Sequence, residues 1–153
     1  MSGLKEMWQF LIARLFGNFG IVEKGRVYRC AQRWYIYPLW LCLGLKTRIN
    51  LATQEADAQD RFEKWLWGKL GVKYITFPTI GPDYYFEEAY KALKECERPV
   101  LFGCEGGRDR AGGIAAVYKF EEMGRSRKEI VKDWLAFKVP NETWLKFLFE
   151  RIG

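Results

Sequence analysis

The sequence predicts an α/β domain built on a central, mostly parallel sheet flanked by helices. Short apolar or β-branched runs at 27–29, 45–51, 72–78 and 100–103 alternate with segments of helical periodicity. No internal repeat and no Pro/Gly/Ser-rich linker divides the 153 residues, and the chain is 49% apolar and 17% aromatic, enough for one core. It therefore reads as a single domain over 1–153, with an N-terminal amphipathic helix in 1–18 and the core in 19–153.

Residues 4–16 place Leu4, Met7, Trp8, Leu11, Ile12 and Leu15 at helical spacing. This helix either packs on the domain or, helped by Lys5 and Arg14, makes peripheral contact with a membrane surface. Pro38 and Gly44 bracket a short helix, followed by a buried strand over 45–51. The next helix spans 55–70, with Phe62, Trp65, Leu66 and Leu70 as its inward residues. The strand at 72–78 stops at Pro78, a helix runs from about Tyr84 to Cys96, and the apolar run VLFG follows Pro99. Gly112 to Val117 sit in a further helix. Ser126 and Glu129 have capping-box spacing ahead of Ile130, Val131, Trp134 and Leu135. Asn141 can cap a last helix carrying Trp144, Leu145 and Leu148.

Composition excludes several chemistries. The chain has no histidine, which rules out a His-ligated metal site, a Ser-His-Asp triad and a Cys-His pair. Cys30, Cys42, Cys96 and Cys104 are too widely spaced for a zinc ribbon or a Cys-x-x-Cys pair. No metal and no cofactor is expected. The longest uncharged stretch, Trp34 to Leu45, is interrupted by Pro38 and falls short of the about 20 residues a membrane span needs. No secretory signal is legible, so free thiols and a cytoplasmic location are the expectation. A net charge of +6 favours anionic ligands. RSRK at 125–128 is the densest basic cluster and reads as a solvated helix start, which makes nucleic acid a minor partner.

The chemistry concentrates in VLFGCEGGRDRAGG, residues 100–113. An apolar strand ends in Cys104, a loop leads to Arg110, and a small-residue helix begins there. Such a loop directs backbone N–H groups at one point at the carboxyl edge of a sheet, where Gly106 and Gly107 permit the curvature an oxyanion cradle needs. A helix N-terminus with Arg108 and Arg110 nearby favours the thiolate form of Cys104. Arg110 can grip two phosphate oxygens at once.

These residues resemble the signature of the cysteine-dependent protein tyrosine phosphatases, specifically their small dual-specificity-like branch: a cysteine, five residues and an arginine, here Cys104-EGGRD-Arg110. GRVYRCAQ at 25–32, GLKTRINL at 44–51 and GVKYITFP at 71–78 are similar, in order, to that branch's opening strand, its second strand and the strand before its acid loop. The resemblance implies Cys104 as nucleophile, Arg110 as clamp, and a phosphate cradle from Glu105, Gly106, Gly107, Arg108, Asp109 and Arg110. It implies a general acid just beyond Pro78, where Asp83 stands, with Asp109 as the alternative acid. Asp83 has a rival task as the N-cap of the helix expected from Tyr84, and Asp109 a rival task orienting Arg108 or Arg110.

The implied reaction is hydrolysis of phosphate monoesters through a phosphocysteine, on phosphotyrosine or phosphoserine proteins or on phosphoinositides, by a monomer. Arg108-Asp109 is similar to a pair in lipid-directed members, and Tyr84, Tyr85 and Phe86 could wall the pocket. The chain departs from the pattern at Gly103, where histidine is usual, and at Ala111, where a serine or threonine hydroxyl is usual. Its alternative reading is a phospho-ligand binding module of negligible turnover; a rhodanese-like sulfur transferase is a more distant one.

Overall fold

A computed structural model describes residues 4, 7, 15, 19–31, 37–53, 58–78, 81–83, 85–105, 109–137 and 140–153. Five strands form one sheet: β1 Gly20–Glu23, β2 Val27–Ala31, β3 Thr47–Thr53, β4 Lys73–Pro78 and β5 Val100–Cys104. Their spatial order is β1-β2-β5-β3-β4, parallel except for β1, which pairs with β2 as a hairpin. Six described helices accompany them: α1 Tyr37–Leu41, α2 Ala58–Lys69, α3 Phe86–Glu95, α4 Arg110–Glu121, α5 Arg127–Phe137 and α6 Glu142–Ile152.

β5 is the middle strand, held by β2 on one side and β3 on the other, and all five of its residues are buried. Two cores occupy the two faces. Phe86, Tyr90, Ile114, Val117, Ile130, Trp144 and Leu148 fill the side carrying α3, α4 and α6. Cys30, Trp40, Leu45, Trp67, Val72 and Leu101 fill the other, where α1 and α2 lie. Alternation along β5 sends Phe102 and Cys104 to the first face and Leu101 to the second.

The helix-start signals hold at the atomic level. Ser126 N–H donates to Glu129 Oε2 at 2.7 Å while Glu129 N–H donates to Ser126 Oγ at 3.3 Å. Trp144 N–H donates to Asn141 Oδ1 at 3.1 Å. Gly44 and Gly71 end their segments with φ of 63° and 70°, the left-handed region that glycine enters without penalty.

Two expectations are corrected. The helix over 55–70 turns its apolar side outward: Phe62, Trp65 and Leu70 are exposed and Asp60, Glu63 and Trp67 are buried. The reason lies on β3 and β4. Arg48 is enclosed and needs a counter-charge, so its Nε donates to Glu63 Oε1 at 2.9 Å, which also accepts from Trp67 Nε1 at 3.1 Å. Tyr74 donates its hydroxyl to Asp60 Oδ1 at 2.7 Å. Second, helix α3 begins at Phe86, two residues late, because Tyr85 is left-handed at φ 58° and Gly81 bridges to Tyr85. In α5, Ile130 is buried and Val131 is on the outer side. In the amphipathic segment, Leu4, Met7 and Leu15 are helical and exposed; its other residues lie outside the described ones. Strand β1, unannounced by any alternation in GIVE, completes the hairpin.

Candidate active site

Cys104 is the last residue of β5, level with Ala31 of β2, and is almost wholly enclosed at 2% exposure. Glu105 follows in the open, and Gly106, Gly107 and Arg108 lie outside the described residues. Asp109 stands at the N-cap of α4 and Arg110 is its first residue, both half-buried. The end of β5 and the start of α4 therefore both lie at the carboxyl edge of the sheet, in the middle of its strand order, where open α/β sheets bind ligands. The amino end of α4 supplies a partial positive charge there.

Arg110 reaches back across the site: its Nη1 donates to the Leu51 carbonyl at the end of β3, at 3.4 Å. That contact ties the guanidinium to the carboxyl end of β3. Asp109 has a partner beyond the loop. Its Oδ1 accepts from the backbone N–H of Asn141 at 2.7 Å, tying the loop to the start of α6. Its own carbonyl accepts from Gly113 N–H at 2.7 Å within the first turn of α4.

Asp83 lies exposed in a turn after Pro82, and it is not the N-cap of α3. Tyr85 occupies that position, with no side-chain cap bond. The competing structural task for Asp83 is thereby removed. Of the aromatic wall, Tyr85 is exposed, Tyr84 falls outside the described residues, and Phe86 is excluded because it is buried against Tyr90, Trp144 and Phe147.

The two departures from the usual signature have local causes or consequences. A Cβ on Gly103 would meet the Cys30 carbonyl oxygen at 2.6 Å and its sulfur at 2.7 Å. Ala111 is fully buried in the first turn of α4 and offers no hydroxyl. The next residues of α4 are small for packing reasons: a Cβ on Gly113 would overlap the Trp144 ring at 2.6 Å.

Sequence reasoning missed Arg29. It sits on β2 opposite Phe102, on the same face as Cys104, and is 3% exposed. Burial pulls its guanidinium down to about 10, and the negative charge of Cys104 and of Asp133 works in the opposite direction. Lys119, which pairs with Asp133, lines the same small cleft with Gly112 and Ala115. The available signal was a cation inside the apolar run of β2. On the opposite face, burial pushes the Cys30 thiol up to about 12, which separates it chemically from any reactive cysteine.

With this geometry in place, comparison with known proteins defines the class. The chain belongs to the tyrosine phosphatase family, which it matches over residues 31–148. It is a cysteine-dependent phosphatase-type domain of small dual-specificity size. The core catalytic domain of the PP-IP phosphatase SIW14 from S. cerevisiae, solved with citrate, superposes with a TM-score of 0.68 at 21% identity, covering 88% of this chain and 85% of that one. Human DUSP28 gives 0.63 at 18% identity, covering 88% and 92%. P. aeruginosa TpbA in complex with pTyr gives 0.59 at 19% identity, covering 84% and 79%. At these identities the likeness is one of fold. No curated protein matches the sequence.

Proposed function

We propose that the protein hydrolyses phosphate monoesters through a phosphocysteine at Cys104. The observation that carries this reading is the placement of Cys104 at the end of the central strand, with Arg110 opening α4 after the intervening loop. The Cys104 thiolate attacks phosphorus, the P–O bond to the leaving group breaks, and Asp83 gives its proton to the departing oxygen. Water then attacks the phosphocysteine, losing a proton to Asp83, and the sulfur departs as thiolate with release of inorganic phosphate. Arg110 and the amides from Glu105 to Arg110 carry the equatorial oxygens through both steps.

Phosphotyrosine or phosphoserine proteins and phosphoinositides are the substrate classes we favour, and the reading is of a monomeric, cytoplasmic enzyme. The kinship of fold with a PP-IP phosphatase and with a protein crystallised with pTyr supports testing both kinds of ester. A second reading, retention of phospho-ligands with negligible turnover, draws on Ala111, which leaves the departing sulfur without the usual hydroxyl donor. Phosphate release from phosphotyrosine, phosphoserine, phosphoinositide and p-nitrophenyl phosphate, measured beside Cys104→Ser, separates the two. Turnover that survives in Cys104→Ser removes the covalent mechanism. Binding of phosphate without turnover by the unaltered protein favours the second reading.

A further inference from the structure

Helix α2 presents to solvent the residues that a sheet-covering helix normally buries. Phe62, Trp65 and Leu70 are 45%, 57% and 52% exposed, and the Phe62 and Trp65 rings lie 6.0 Å apart. The inversion is enforced from below, because Glu63 is held by Arg48 and Trp67, and Asp60 by Tyr74. Rotating the helix to bury Phe62 and Trp65 would strip the enclosed Arg48 of its counter-charge. The same arrangement removes both carboxylates of the helix from its outer side. From Arg61 to Lys73 the exposed charges are Arg61, Lys64, Lys69 and Lys73, with no exposed Asp or Glu among them.

We propose that this outer face of α2 docks on an anionic lipid surface. Trp and Phe rings prefer the headgroup level of a bilayer, and lysine stems lie along apolar surface while their ammonium groups reach lipid phosphates. The interleaving of lysines with aromatics distinguishes the face from a protein-binding core, where lysine is depleted and a concave rim encloses the anchors. Helix α2 covers the sheet face opposite α4, so docking there leaves the Cys104 loop at the carboxyl edge uncovered. The proposal does not depend on the catalytic reading.

Co-sedimentation of the full-length protein with phosphatidylcholine vesicles, with and without phosphatidylserine, tests it. Binding should require phosphatidylserine and weaken as NaCl is raised. Lys64→Glu with Lys69→Glu should reduce partitioning by about thirtyfold, at about fivefold for each lysine lost. Phe62→Ser with Trp65→Ser should reduce it by about tenfold or more. Both pairs are exposed, so folding should be unchanged by circular dichroism and phosphate affinity should persist. Absence of binding to phosphatidylserine vesicles overturns the proposal. So does binding that survives both double substitutions, or self-association that Phe62→Ser with Trp65→Ser abolishes while vesicle binding stays intact, which would assign the face to a second copy of the chain.

Discussion

Gly103 and Cys30 face each other across β5 and β2 so closely that no side chain fits at Gly103: an added Cβ would lie 2.6 Å from the Cys30 carbonyl oxygen. The absence of a histidine before Cys104 is therefore enforced by the strand pair. Gly103→His should destabilise the protein by about 1–3 kcal/mol or more, since overpacking a closed site forces backbone to move. Adding Cys30→Ala should restore only part of this, because the carbonyl clash remains. Urea midpoints of the three variants check the order. A stable and faster Gly103→His would show that the strands can re-space.

On the proposed phosphocysteine route, Ala111 bears on the second chemical step. A hydroxyl in this first turn of α4 would donate to the sulfur leaving the phosphocysteine, and a hydrogen bond to a charged group is worth about 1.5–3 kcal/mol, or roughly 10- to 150-fold in rate if felt fully. The protein as it stands should release a burst of nitrophenol followed by a slower steady state in rapid mixing. Ala111→Ser should speed the steady state. No burst and no gain together would put phosphoryl transfer to Cys104 in control of the rate.

The enclosed Arg48–Glu63 pair makes a separate claim on stability. Removing one partner leaves the other charge buried, so Glu63→Gln should cost about 3–5 kcal/mol, whereas replacing both with apolar residues of like volume should cost much less. Chemical denaturation of the single and double variants measures the difference. Equal losses would show that packing of the side chains, rather than charge, governs the site.

This pair also explains what was illegible in the sequence. Periodicity identifies helix α2 correctly but assigns its inner side by hydrophobicity, and nothing local reveals that Arg48, on a strand fifteen residues earlier, will claim Glu63. The helix starts at Ser126 and Asn141 were legible because a cap is a contact between residues three apart. The strand end at Cys104 and the helix start at Arg110 were legible for a similar reason: the two elements follow one another closely along the chain. The Asp109 contact to Asn141, the closeness of Gly103 to Cys30 and the position of Arg29 all depend on separate parts of the chain meeting. No spacing rule carries such information.

The two candidate acids, Asp83 and Asp109, differ in their surroundings. Asp109 Oδ1 is engaged by the Asn141 backbone N–H, whereas Asp83 is exposed in the turn before α3 and is not that helix's N-cap. General acid catalysis is typically worth 10²–10⁴-fold, and its value shrinks as the leaving group improves. Asp83→Asn should accordingly slow hydrolysis of an alkyl or ordinary aryl phosphate by about a hundredfold or more, yet barely affect a highly fluorinated aryl phosphate. Asp109→Ala should act on structure, loosening the loop from α6, with stability reduced by about 1.5–3 kcal/mol and phosphate binding weakened. Because Asp83 is not the N-cap of α3, Asp83→Asn should leave helix content unchanged, so a kinetic loss cannot be ascribed to unfolding of α3. Turnover of both variants across a leaving-group series decides the matter: a steeper dependence on leaving group in Asp83→Asn supports its role as acid. The same steepening in Asp109→Ala, with Asp83→Asn unaffected, transfers the role to Asp109.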